Sequence, residues 1–261
     1  MTVARVKISI ARPAPGVLAV LIAGFPSPIM ATNCWVLAMG NGEQCVIVDP
    51  GIGVGPRIDE IVAAHRLHPV AVLLTHGHLD HTFSVVPVCD ARDVPAYIHP
   101  ADRGQLTNPW SAFGLPRGTP IAGVAALPAA EPADVQELVD DETLALGGLA
   151  FGVRHAPGHT RGSVVFHTAD AEEHWLLSGD VLFAGSIGRV DLPGGSMAEM
   201  STTLRTVILP IDDATVVLPG HGATTTIGHE RATNPYLRGV APPGQTVRGV
   251  APTVSEFPGR S

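Results

Sequence analysis

The sequence predicts a layered α/β domain with sheets inside and helices outside, and three observations support this. Short apolar runs recur along the chain, and helical periodicity appears between some of them. Gly (29) and Pro (24) are so frequent among 261 residues that much of the chain must be turns rather than long helices. The hydrophobic fraction of 45% and charged fraction of 15% are those of a globular chain long enough to bury a substantial core.

The first strand is expected at 17–23. Its apolar stretch, Val17 to Phe25, is about half of the ~20 residues a membrane span requires. The long segment before it contains Pro13 and Pro15 and does not match a secretory signal, so the expectation is a cytoplasmic protein without a membrane partner. Strands at 33–39 and 45–49 follow, joined by the turn Gly40-Asn41-Gly42. Residues 56–65 place Ile58, Ile61 and Val62 on one side of a helix that begins with Pro56. The run Val70 to Leu74 is apolar throughout and suits a strand covered on both faces. Residues 101–132 are rich in Gly, Pro and Ala, carry Trp110 and Phe113, and read as a long surface excursion. Strands return at 135–139, 143–147, 150–155, 163–167, 175–178 and 215–218. A helix is expected at 197–209, after the start signal Gly194-Gly195-Ser196. One domain is thus expected over 1–237. The remainder, 238–261, with its PPG, PGQ and FPG fragments, reads as a poorly ordered tail.

The net charge is −8, and the 16 basic residues are scattered rather than clustered, which argues against a nucleic-acid partner. Cys34, Cys45 and Cys89 have no CxxC spacing, and two of them sit inside apolar runs. They read as free buried thiols, in keeping with the cytoplasm.

The chemistry is concentrated in Thr75-His76-Gly77-His78-Leu79-Asp80-His81. Four potential ligands fall within six residues directly after the apolar run 70–74, a mixture of imidazole and carboxylate suited to zinc, iron or manganese. The spacing is not that of a helix-borne pair, so the cluster is expected on a loop, with Gly77 allowing a tight turn. Without an ion, so many polar groups at a strand end would be costly to bury. The same pattern of apolar run, Gly or Pro, then His or Asp recurs three times, ending at His159, Asp180 and His221. Neighbouring strands would deliver these three to the rim that carries residues 76–81. Asp49, in Asp49-Pro50-Gly51, reads either as a carboxylate orienting a ligating imidazole or as plain turn chemistry. Thr160 and Ser178 are further candidates for outer support.

With these motifs in place, the sequence resembles the metallo-β-lactamase superfamily from about Asn33 to Leu237. Within it, the segments PGHTRGS (157–163), SGDVLFAGSIGRVDLPGG (178–195) and LPGHG (218–222) are most similar to glyoxalase II-type thioester hydrolases. The resemblance implies a four-layer αβ/βα sandwich, two β-sheets flanked by helices. It implies two divalent metal ions, zinc or alternatively iron or manganese. His76, His78 and His159 would hold one ion and Asp80, His81 and His221 the other, with Asp180 shared. A water between two such ions would ionise near neutral pH and attack the carbonyl of a small-molecule thioester or ester, and Asp80 is the candidate catalytic group that orients it or relays a proton.

Full-length glyoxalase II carries an extra helical domain for glutathione, whereas 40 residues follow His221 here, which leaves the carrier thiol open. Three other activities share parts of this pattern. A persulfide dioxygenase with a single iron would share the 76–81 motif, but the loop 185–195 leans toward the hydrolases. Lactone or other ester hydrolysis uses the same chemistry. Zinc β-lactamases most often have Cys or His where Asp180 stands, and no Cys lies beyond residue 89.

Overall fold

Side-chain alternation along two central sheets sorts the chain into layers. The computed structural model describes residues 8–9, 20–120, 124 and 129–240. The first sheet runs in the order β1 (Ile8–Ser9), β2 (Leu21–Pro26), β3 (Asn33–Ala38), β4 (Gln44–Val48), β5 (His68–Leu73), β6 (Ala96–Ile98) and β7 (Val135–Glu137). It is antiparallel as far as β4 and parallel from there. The second sheet contains β8 (Thr143–Leu146), β9 (Leu149–His155), β10 (Val164–Ala169), β11 (His174–Gly179), β12 (Val216–Pro219) and β13 (Thr225–Thr226). Its spatial order is β13-β12-β11-β10-β9-β8, with β11 and β12 parallel and the other pairs antiparallel.

Trp35, Leu37, Val46, Val48 and Leu73 point between the sheets, where they meet Phe151, Val153, Phe166 and Leu177. Their neighbours Cys34, Val36, Cys45, Ile47 and Val72 point the other way. There they are covered by α1 (Gly55–His65), through Ile58 and Ile61, and by α3 (Val85–Asp90), which follows the short α2 (Leu79–Thr82). α4 (Pro100–Thr107) adds Leu106. On the far side, Val165, Leu176 and Val217 are covered by α5 (Met197–Thr203) and a π-helical turn Leu204–Ile208. Ile227 of α6 (Ile227–Thr233) and Leu237 of α7 (Pro235–Val240) complete that layer. The result is the αβ/βα sandwich, with each fully buried aliphatic or aromatic side chain contributing about 1.5–3 kcal/mol.

The central strands match the expected positions closely because their apolar runs are buried on both faces. The differences lie where local chemistry outweighs apolar pattern. The strand expected at 17–23 is observed as β2, starting at Leu21, while residues 17–19 lie outside the described residues. The expected helix 197–209 changes to π geometry at Leu204. The excursion 101–132 begins with structure that composition hid. His99 caps α4, accepting from the Ala101 N–H, and Pro100 opens the helix. A 3-10 turn, Pro109–Phe113, follows and buries Trp110. Of the tail expected at 238–261, residues 238–240 belong to α7 and the rest lies outside the described residues. Cys34, Cys45 and Cys89 are free and buried, and no helix among the described residues is long and apolar enough to cross a membrane.

Candidate metal centre

Strand direction explains why distant motifs meet. β4 and β5 are parallel, so Asp49 and the 76–81 segment leave the first sheet at the same edge. β9 and β11 are each antiparallel to β10 and hence run together, and β12 is parallel to β11. The segments carrying His159, Asp180 and His221 therefore leave the second sheet along one edge. Direct bonds join the two edges. The Val164 N–H donates to the Thr75 carbonyl at 2.8 Å and the Asn33 N–H to the Gly220 carbonyl at 2.7 Å. The Asn33 Nδ2 amide donates to the Pro219 and Gly222 carbonyls at 3.0 and 2.9 Å, clamping the turn that presents His221.

All seven candidate ligands come together. His76, His78 and His159 form one triad and Asp80, His81 and His221 a second, while Asp180 groups with His76 and His81. Within each group the candidate ligand atoms lie within 4.8 Å of one another. This suits metal–ligand bonds of about 2.0–2.1 Å around one ion. Asp180 Oδ1 is 3.3 Å from His81 Nε2, whereas its Oδ2 is 3.5 Å from His159 Nε2 and 3.6 Å from His221 Nε2. Its two oxygens thus face different members of the cluster. Nε2 of His76, His78, His81 and His159, together with Asp180 Oδ1, are buried without a hydrogen-bond partner. Leaving one buried polar atom unsatisfied costs about 1–3 kcal/mol. Five such atoms converging on one place fit the binding of cations there.

The opposite ring nitrogens of His159 and His81 are committed elsewhere. His159 Nδ1 lies 2.7 Å from the Arg189 carbonyl, which can only accept, so Nδ1 carries the proton and the Nε2 lone pair faces inward. His81 Nδ1 is 2.9 Å from Asp49 Oδ2, the orienting role weighed for Asp49. Asp49 also accepts from the Thr75 N–H at 2.8 Å and the Thr75 hydroxyl at 2.7 Å, and it adopts a left-handed backbone (φ 50°) to do so. Thr32 donates to Asp80 Oδ2 at 2.7 Å.

Burial keeps His76 neutral, reinforced by the neighbouring imidazoles, and pushes His78 down to about 3. Burial acts in the same direction on His81, but Asp80, Asp180 and Asp49 outweigh it and hold this ring well above the usual histidine range. Burial would raise Asp80 and Asp180, yet both stay below the ordinary carboxylate range because His81 and the other facing donors favour the charged form.

Several features escaped sequence reasoning. Asp80 and His81 lie on α2 rather than on a loop. Gly77 is needed for space, since an added Cβ would stand 2.8 Å from the Asp102 carbonyl oxygen and 3.0 Å from the Gln105 side chain. Asp102, buried in α4, accepts from the Gly77 N–H (2.9 Å), the Thr160 hydroxyl (2.6 Å) and the Gly162 N–H (2.9 Å). It ties the segment between His76 and His78 to the residues after His159. Nothing near Asp102 in sequence signals this role. Thr160 is an outer support through Asp102, whereas Ser178 instead caps the turn after Asp180 by donating to the Leu182 carbonyl at 2.8 Å. Glu230 is fully buried and accepts from the Gly185 N–H, the Thr225 hydroxyl and Asn234 Nδ2 at 2.8, 2.6 and 2.9 Å. Asn234 also donates to the Ser186 carbonyl at 3.0 Å, so α6 holds the loop that leads to Arg189. The exposed Arg189–Asp191 pair pins its own loop. Trp110 anchors the 3-10 turn by donating to the Thr119 carbonyl, whereas Phe113 stacks on His78 with ring centroids 6.1 Å apart.

The chain is similar to known proteins along most of its length. The profile of the metallo-beta-lactamase superfamily matches residues 28–221. An uncharacterized protein of Mycobacterium tuberculosis is 46% identical over 85% of this chain and 99% of its own. The hydroxyacylglutathione hydrolase GloC of Haemophilus influenzae is 33% identical over 81% of this chain and 95% of its own. Among solved structures, the BLEG-1 B3 metallo-beta-lactamase superposes with a TM-score of 0.73 at 36% identity, over 83% of this chain and 99% of that one. TTHA1623 in a di-iron-bound form gives 0.66 at 33% identity, over 82% and 98%.

Proposed function

The chain belongs to the metallo-β-lactamase superfamily, and on that premise we propose that it is a dinuclear metal-dependent hydrolase acting on a small thioester. The observation that carries this reading is the convergence of two triads on Asp180, with Nε2 of His76, His78, His81 and His159 and Asp180 Oδ1 buried and unpartnered among them. His76, His78 and His159 would hold one divalent ion, Asp80, His81 and His221 the other, and Asp180 both. Zinc suits this imidazole and carboxylate set, and iron suits it too, as the di-iron form of TTHA1623 illustrates. When bound, the two ions would polarise the scissile carbonyl and lower the pKa of a water near it.

The protein's own groups define the rest of the reaction. The Arg189 carbonyl and Asp49 hold Nδ1 of His159 and His81, so both rings already turn Nε2 toward the centre. Asp80 remains a carboxylate, with the Thr32 hydroxyl and His221 Nε2 against Oδ2. From there it can orient the attacking water or accept its proton. A thiolate departs with little need for protonation, because ordinary thiols ionise near ~8.5. GloC, at 33% identity, supports a thioester over a simple ester.

The test pairs metal quantification of the purified protein with thiol release from several S-acyl substrates, oxygen uptake on a persulfide and turnover of a cephalosporin. Two metals with thiol release are expected. One iron with oxygen uptake would replace this reading by a dioxygenase, and cephalosporin turnover without thiol release by a β-lactamase.

A further inference from the structure

A cavity of about 390 Å³ opens between α4, the 3-10 turn 109–113 and the loops at 161 and 193–194. That size is in the range of small-molecule sites. Its walls are shared with the candidate metal centre. Asp102 bonds Gly77, between His76 and His78, as well as Thr160 and Gly162, beside His159. Phe113, at the end of the turn whose Ser111 and Ala112 line the cavity, stacks on His78.

Arg161 is the one cationic side chain in this lining. Arg103, Arg154 and Arg189 each face a carboxylate within ion-pair distance, but Arg161 has no such partner among the described residues. The peptide unit that follows it is held at both of its polar atoms. The Arg161 carbonyl lies 2.8 Å from His155 Nε2, and the next N–H, of Gly162, donates to Asp102 Oδ1. Asp102 itself, 1% exposed, has both oxygens occupied by backbone and hydroxyl donors rather than by Arg161. In a chain of net charge −8, this is a guanidinium with no carboxylate at ion-pair distance among the described residues, on the segment two residues after His159. Around it, Gln105 and Ser111 offer polar groups, and Ala101, Ala112 and Pro193 an apolar wall.

We propose that this cavity is the recognition subsite for the carrier end of the thioester, where Arg161 pairs with an oxyanion of the carrier. The proposal rests on the thioester reading above and adds the substrate class, a thiol carrier ending in a carboxylate or phosphate. Guanidinium binds either group through paired N–H donors. With the acyl carbonyl at the metal centre, the carrier extends past Phe113 toward Arg161.

Unreactive thioethers test this without turnover. S-propylglutathione supplies carboxylates, S-propyl phosphopantetheine a phosphate, and S-propyl N-acetylcysteamine the same amide character without charge. Binding of each to the metal-loaded protein and to Arg161→Gln is measured by calorimetry at physiological salt. At least one anionic thioether is expected to bind about 10- to 100-fold more tightly than the neutral one, as for a hydrogen-bonded charge pair. Arg161→Gln removes that preference, and Arg161→Lys retains part of it. Whichever anion is preferred identifies the carrier chemistry. Equal affinity for all three ligands, or a preference that survives in Arg161→Gln, overturns the subsite. Failure of the thioester reading shows separately, as absence of thiol release from the corresponding S-acyl compounds.

Discussion

At the residue scale, two of the imidazoles, His159 and His81, use both ring nitrogens. One ring nitrogen of His159 is held by a carbonyl and one of His81 by a carboxylate, which leaves the other of each ring directed at the centre. Replacing Asp49 by Asn should weaken metal binding about 10- to 100-fold, the usual effect of losing an outer partner, as metal competition would reveal. Asp180→Ala should abolish hydrolysis and release at least one metal, because a shared carboxylate offsets the repulsion between two dications. Retention of both metals with normal turnover would refute the assignment. His81→Ala should empty mainly the second position, and metal analysis showing loss only from the first would contradict the division. The sign of the pH dependence follows from His81. Its folded-state pKa is raised, and a ligand must be deprotonated. Loading the metal-free protein should therefore release protons, and affinity should rise from acidic toward alkaline pH. Calorimetry in buffers of different ionisation enthalpy measures that release.

At the element scale, the loops are positioned by contacts too close for larger side chains. A Cβ on Gly220 would collide with Asp180 Oδ1 and stand 2.7 Å from His81 Cε1. Gly220→Ala should therefore cost metal occupancy even if the fold survives, a combination that circular dichroism and metal analysis together would show. The helix α6 acts from further away. Glu230→Ala leaves the Gly185 N–H, the Thr225 hydroxyl and the Asn234 amide without their acceptor. A loss of roughly 3 kcal/mol is expected from unsatisfied groups of this kind, which in a domain of this size lowers Tm by about 6–12 °C. An unchanged Tm would mean that water replaces the carboxylate.

At the scale of the whole molecule, the candidate ligands come from both sheets, with residues 76–81 on one and 159, 180 and 221 on the other. A metal that binds the folded state alone then stabilises the sandwich itself. Removal by a chelator should lower Tm, with an effect of about 4 kcal/mol where the free ion had stood near a thousandfold above Kd. Re-addition should restore it. The interior between the sheets sets the other limit, since Phe151 and Phe166 are fully buried there. Truncating either to Ala should cost about 3–5 kcal/mol, measurable by denaturant unfolding.

The strands were legible because burial on both faces leaves an uninterrupted apolar run, as at 70–74 and 45–49. The 76–81 cluster was legible because several ligand types crowd into a few residues. Local sequence could not show that α4 follows His99, because Gly and Pro in the same segment mask a helix set by its cap. Nor could it show that Asp102, Glu230 and Asn234 are buried among unpaired backbone donors and acceptors, for an isolated Asp or Glu reads as a solvated charge until the chain closes around it. The apolar pattern and the candidate ligands were thus in the sequence by itself, through short-range regularities of side-chain type. Which of those side chains meet, which nitrogen each presents and which distant carboxylate holds it there were decided only by the tertiary structure. Strand direction and cross-sheet hydrogen bonds join residues more than a hundred positions apart, and no local spacing encodes them.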